Sequence, residues 1–287
     1  LTLSKQIVEE IESTITRIAR ALSVIGLINV QFAVAGTTVY VIEANPRASR
    51  TVPFVAKATG VQLVKVASRV MMGATLGQLR SEGLLPDKVK GGHVSVKEAV
   101  LPFNRFSEVD TALGPEMRST GEVMGIDDSF ARAFVKAQFA AGTTLPETGL
   151  VFVSLNDRDK SGGVEVVNGL TSLGLQIAAT TGTAKFLTEH GCTVSRIVGK
   201  FSERKSDGKG ADDAVKLIEA GEIALVINTP RGYGTRSDGE AIRKAANNCR
   251  VSVVTTLSAA TAAVQGMIEQ RNRPFSVMSL QEFHGRQ

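Results

Sequence analysis

Five short and almost unbroken apolar runs, at residues 150–155, 175–179, 194–198, 223–227 and 251–255, constrain this chain more than any other feature. A strand apolar on both faces must be covered on both faces, as strands in parallel sheets are. Helical patterns fill the gaps, at about residues 160–173, 184–190, 211–220, 238–247 and 258–270. Strand alternating with helix predicts an α/β fold with a parallel sheet and crossover helices. In such sheets ligands sit beyond the carboxyl ends of the strands.

The residues at those ends carry chemistry. Thr180-Thr181-Gly182-Thr183 follows one strand and opens a helix, where hydroxyls and free N–H groups make an anion cradle. Lys160 starts the helix after the first strand, Lys200 follows the third, and Asn228-Thr229-Pro230-Arg231-Gly232 follows the fourth. Taken singly, each is a helix cap or a surface lysine. Converging from separate strand ends, they describe a phosphate-sized site.

The first half has a different rhythm. Ile7, Ile11, Ile15, Ile18 and Leu22 recur at helical spacing, and Gly26 is placed to end that helix. Residues 28–34 and 40–45 read as two strands joined through Ala35, Gly36 and Thr37, a β-hairpin. Glu43 and Asn45 are two apart and share a face of an extended backbone. A three- or five-residue connection would put Gln31 on that face too, opposite or diagonal to Glu43. Arg47 and Arg50 follow at once. Hard oxygen donors beside guanidinium groups suit Mg²⁺ carrying a polyphosphate. An ordinary strand end with a solvated loop is the plainer alternative for Glu43 and Asn45 alone.

Short helices are expected at 54–59 and 63–72, ended by Gly60 and Gly73, then a polar connector over 76–89 containing Gly83 and Pro86. A strand at 93–101 follows. Phe103, Phe106 and Met117 are expected to pack inside, and Phe130, Phe134 and Phe139 to lie on one short helix. Residues 140–146 have a linker composition.

Composition excludes several classes. The net charge is +5 and the pI about 9.3, but the basic residues are dispersed, aromatics are 5% and Trp is absent. That offers no stacking surface for nucleic acid. Mean hydropathy is +0.07 and no apolar run is long enough to span a bilayer. Cys192 and Cys249 fit no metal or redox spacing and are expected to be buried thiols in a reducing, cytoplasmic compartment. His93, His190 and His284 are scattered and suggest no zinc site. The absence of an initial Met suggests a fragment.

Long strings within this sequence resemble a known family. Residues 29–60, 95–106 and 113–125 are similar to the large subunit of the carbamoyl phosphate synthetases, and the similarity extends over essentially the whole chain. The resemblance implies the end of an ATP-grasp domain over residues 1–142 and a methylglyoxal synthase-like allosteric domain over 143–287. It implies a ligase that phosphorylates carbamate with ATP, serving pyrimidine and arginine biosynthesis. Gln31, Glu43 and Asn45 would bind Mg²⁺ or Mn²⁺, and Arg50 would contact the phosphoryl region.

In the second domain the resemblance carries nucleotide-phosphate roles, for UMP and IMP, onto Ser154, Lys160, Thr180, Thr183, Lys200 and Asn228. Where enterobacterial members have a second Thr after Asn-Thr, this chain has Pro230, which lacks both hydroxyl and N–H. Ornithine would be bound by Glu98 and Thr255; from the residues alone Glu98 is a surface strand residue. Implied partners are a glutaminase small subunit and further copies of the chain. No synthetase activity is expected of these residues by themselves. The competing classes are a free-standing nucleotide-sensing module, a methylglyoxal synthase-type lyase using Asp157 or Asp159 as base, and another ATP-grasp ligase.

Overall fold

The computed structural model describes residues 3–89, 91–103, 111–114, 116–199, 213–230, 237–274 and 276–285. Two compact units emerge: Leu1–Gly92 with Val277–Gln287, and His93–Ser276. Residues 93–142, read from sequence with the first domain, fall in the second of these units.

The first unit holds helix α1 (Lys5–Ala21), the hairpin β1 (Asn29–Ala35) and β2 (Thr38–Asn45), helices α2 (Thr51–Thr59), α3 (Leu63–Met71) and α4 (Leu76–Ser81), and the late helix α11 (Leu280–Gly285). Helix α1 starts where the Ser4 hydroxyl accepts the Ile7 N–H, an N-cap that satisfies one orphan amide. Helix α4 corrects the expected polar connector. Thr75 and Gln78 form a capping box there, and Leu79 is fully buried against Val61 and Val66.

In the hairpin Ala35 pairs with Thr38, leaving only Gly36 and Thr37 in the loop, with Gly36 at φ 60°. A loop that short, continued in strict register, would set Gln31 opposite Ile42. Instead the register slips between Gln31 and Phe32: Phe32 pairs with Val41, Gln31 pairs with Glu43, and Ile42 has no partner. One extra residue on β2 thus decides which side chains meet.

The second unit opens with an antiparallel pair, β3 (Val94–Val100) and β4 (Gly121–Asp127), followed by α5 (Phe130–Ala140). Strand β4 adds to the expected elements. Met117 is 75% exposed and so does not fill the core as expected; Phe130, Phe134 and Phe139 do lie on one short helix, α5, and Phe106 lies outside the described residues.

Then come β5 (Leu150–Ser154), α6 (Lys160–Ser172), β6 (Gln176–Thr180), α7 (Thr181–Glu189), β7 (Arg196–Val198), α8 (Ala214–Glu219), β8 (Ile223–Asn228), α9 (Ser237–Asn248), β9 (Ser252–Val254) and α10 (Leu257–Asn272). All neighbouring strands of this sheet are parallel, in the order β7-β6-β5-β8-β9. The chain winds outward from β5 to one edge, then returns to build the other half from β8. Two cores result. Val151, Val153, Ile177 and Leu225 pack with Val167 of α6, Leu187 of α7 and Val264 of α10. Phe152, Ala178 and Val226, pointing to the other face, pack with Ile218 of α8 and Ile242 of α9. Cys192 is buried as expected, whereas Cys249 is exposed at the end of α9.

Candidate functional site

Two groups of candidate residues can be placed, one in each unit. In the first, the register slip sets Gln31 directly opposite Glu43. The Asn45 amide nitrogen donates to the Glu43 carboxylate at 2.9 Å, so these two side chains converge. Gln31 and Glu43 are exposed and Asn45 is half-buried. The chain then turns sharply: the Arg47 N–H donates to the Asn45 carbonyl at 2.8 Å, and the Arg47 guanidinium folds onto the Ala48 carbonyl at 3.1 Å. Arg50 is the residue that leads into α2 and is exposed. Hairpin and loop thus bring one carboxylate, two carboxamides and a guanidinium to one strand end. Among the described residues no cluster of three His, Cys, Asp or Glu could hold a metal ion. The donor set here is mainly neutral oxygen.

In the second unit, the sheet reverses its winding between β5 and β8, and Ser154 pairs in register with Asn228 across that junction. This is a topological switch point, and open α/β sheets bind their ligands in the crevice outside such strand ends. Thr180 ends β6 and heads α7, whose first turn has no side-chain cap and no acidic residue. Its amide dipoles are therefore available to an anion. The Lys160 Nζ lies 3.9 Å from where a Cβ on Gly182 would stand, which sets the ammonium group over that first turn. Lys160 is held there by Asp157, whose Oδ1 is 2.8 Å away.

Thr183 is almost fully buried, and its hydroxyl oxygen accepts from the Leu155 N–H and from the Thr180 hydroxyl, both at 3.1 Å. Its oxygen knits β5 to α7. Asn228 is buried, and its Oδ1 accepts from Arg243 at 2.7 Å. Lys200 lies outside the described residues.

Asn156 and Arg243 are not site candidates from the sequence, whereas Thr229 lies in the stretch that follows the fourth strand. The Asn156 N–H donates to the Thr229 hydroxyl at 2.9 Å, tying the β5 and β8 loops together. Asn156 also donates to Asp159 at 2.6 Å and to the Pro230 carbonyl at 3.3 Å. Pro230 therefore serves the loop through its carbonyl. The signal for Arg243 was a charge next to Ile242 in the apolar stripe of α9.

Glu98 sits half-buried on β3 and accepts from the Gln138 amide at 2.8 Å. Burial raises its pKa, against the opposing hydrogen bonds from the Ala99 backbone and Gln138. Thr255 is half-buried between β9 and α10. Glu98 thus lies within the antiparallel pair, whereas Thr255 follows the last strand of the parallel sheet.

Comparison with known proteins defines the class first. Residues 1–79 match the family described as carbamoyl-phosphate synthase L chain, ATP binding domain, and residues 162–255 match the MGS-like domain. The carbamoyl phosphate synthase large chain of Beutenbergia cavernae is 52% identical over 296 residues, covering 98% of this chain and 26% of that protein. Its counterpart in Synechocystis is 46% identical over 285 residues, with 99% and 25% covered. That of Micrococcus luteus is 47% identical over 297 residues, with 100% and 27% covered. The chain thus spans about a quarter of the length of these relatives. It belongs to the carbamoyl phosphate synthase large-chain family and corresponds to the C-terminal region of its members. Among the described residues no helix is long and apolar enough to cross a membrane.

Proposed function

We propose that this chain contributes the cation-facing strand pair of an ATP site that phosphorylates carbamate, together with a nucleotide-sensing domain that regulates it. The observation that carries the reading is the slip at Ile42, which sets Gln31 opposite Glu43 while Asn45 bonds the same carboxylate. A single carboxylate is too little charge to hold a bare divalent cation. It suits Mg²⁺ or Mn²⁺ that arrives on nucleotide phosphates and keeps their oxygens as ligands. Such an ion, when bound, neutralises charge on the transferring phosphoryl group. Glu43 supplies the charge at the strand end, Gln31 and Asn45 orient through neutral oxygens, and Arg50 faces the phosphoryl region. The nucleophile is the carbamate oxygen, so the protein has to position and stabilise rather than attack.

In the second domain, UMP or IMP would place its phosphate over the first turn of α7, with Lys160, Thr180, Ser154, Asn228 and Lys200 around it. Thr183 acts there by holding the turn, since its oxygen already accepts two hydrogen bonds. Ornithine, a cation, would suit the Glu98 carboxylate, with Thr255 as its second contact. A glutaminase small subunit, self-association and a cytoplasmic setting complete the proposed whole enzyme.

The test is a chimera in which these 287 residues replace the corresponding quarter of the Beutenbergia cavernae large chain. Carbamoyl phosphate should form, and Glu43→Gln should lower the rate from carbamate by roughly a hundredfold. An unchanged rate in Glu43→Gln would remove the hairpin from the ATP site.

A further inference from the structure

Arg243 is a buried cation that the proposed phosphate site does not use. It is 6% exposed on α9, and its Nη1 donates to the Oδ1 of Asn228, itself 4% exposed, at 2.7 Å. A guanidinium has five donors and no acceptor. The contact therefore decides which end of the Asn228 amide faces which way: carbonyl toward Arg243, NH₂ away from it. Gly239, one turn earlier on α9, leaves room for the pair. A Cβ there would stand 3.0 Å from Arg243 Nη1 and 3.4 Å from Asn228 Oδ1. Asn228 is also the last residue of β8 and the register partner of Ser154 at the switch point. An amide left to rotate could show a ligand either its oxygen or its NH₂ group.

We infer that Arg243 is a positioning residue that holds the NH₂ group of Asn228 toward the strand-end crevice. The crevice then meets its ligand with donors at three places: the Asn228 amide, Lys160 and the uncapped first turn of α7. A surface with that polarity selects a phosphate and rejects a ligand that must donate. The inference rests on the phosphate reading of this crevice and adds the residue that sets its polarity.

Replacing Asn228 by Asp separates positioning from folding. The carboxylate keeps one oxygen on Arg243, as a charge-assisted bond, and turns the other, an acceptor, toward the phosphate. The fold should hold while binding weakens.

The experiment is calorimetry of UMP and of inorganic phosphate on the full chain, with thermal melting, for wild type, Asn228→Asp, Arg243→Gln and Arg243→Lys. We expect Asn228→Asp to lose about 10- to 100-fold in affinity with a Tm no lower than wild type. Arg243→Gln should weaken binding about tenfold, with partial recovery in Arg243→Lys. The Asn228 side-chain ¹⁵N resonance should shift on adding phosphate to wild type and fail to shift in Arg243→Gln. If wild type binds while Asn228→Asp binds as tightly, or Arg243→Gln leaves affinity and the Asn228 response unchanged, the positioning role is overturned. Wild type that binds neither UMP nor phosphate would instead sink the crevice reading, and this inference with it.

Discussion

Removing the charge of Asp127 tests how the β3–β4–α5 segment is fastened in the second unit. Asp127 ends β4 and is 6% exposed. Its Oδ2 lies 2.8 Å from Lys136 Nζ and 3.2 Å from Arg132 Nε, both on α5. Its Oδ1 accepts the Asp128 N–H at 2.8 Å. Burial by itself would push this carboxyl up, but the Lys136 and Arg132 cations paired with it and the Asp128 N–H outweigh it and hold the pKa at about 2. In Asp127→Asn two largely buried cations lose their shared counter-charge. Breaking a buried pair from one side costs about 3–5 kcal/mol. Here Arg132 keeps Asp128 at 3.8 Å and the Arg273 carbonyl at 3.0 Å, and Lys136 keeps the Ile126 carbonyl at 3.4 Å. With those remaining partners, the expected loss is about 2–3 kcal/mol. Hydrogen exchange of the β4 amides reads it locally, and urea unfolding reads it globally. In a cycle with Arg132→Met, the coupling should be about 1–3 kcal/mol. A loss under about 0.5 kcal/mol, or strict additivity in the cycle, would refute the reasoning.

Other outcomes follow from the same geometry. Because the Asp127 pKa falls from 3.8 to about 2 on folding, its stabilisation is present above about pH 4 and disappears as pH falls through about 2. Between pH 5 and pH 2 wild type should therefore lose more stability than Asp127→Asn, by acid titration followed with circular dichroism. Gly125→Ala would put a Cβ 1.9 Å from the Ala133 carbonyl oxygen and 2.5 Å from the Ala137 nitrogen, both backbone atoms of α5. It should cost about 3 kcal/mol or more in urea unfolding, since the helix itself must move. Thr183→Val should cost about 1–3 kcal/mol by thermal melting, because the buried Leu155 N–H loses its acceptor.

The parallel sheet is legible in the sequence because burial on both faces writes itself as unbroken apolar runs. The order of its strands is not, since switching direction after β5 is a tertiary choice. Val39-Tyr40-Val41-Ile42 is continuously apolar, so period-two alternation cannot reveal that Ile42 is extra; the slip that pairs Gln31 with Glu43 is visible only in three dimensions. Strand β4 carries Gly121 and Gly125, which lower its strand signature. Gly125 is there because α5 passes too close for a side chain. Helix α4 has its capping box in the sequence, at Thr75 and Gln78, but the Gly83 and Pro86 that follow it argue for a connector. Asn228 reads as a donor or an acceptor until Arg243, fifteen residues on, is seen to fix it.

Anomalous diffraction from Mn²⁺ and a non-hydrolysable ATP analogue bound to the chimeric large chain tests the core of this account most directly. The manganese peak should fall about 2.2 Å from the Glu43 carboxylate, with Gln31 and Asn45 oxygens beside it and phosphate oxygens completing the shell. A nucleotide-bound manganese with Glu43 outside its coordination sphere would contradict it.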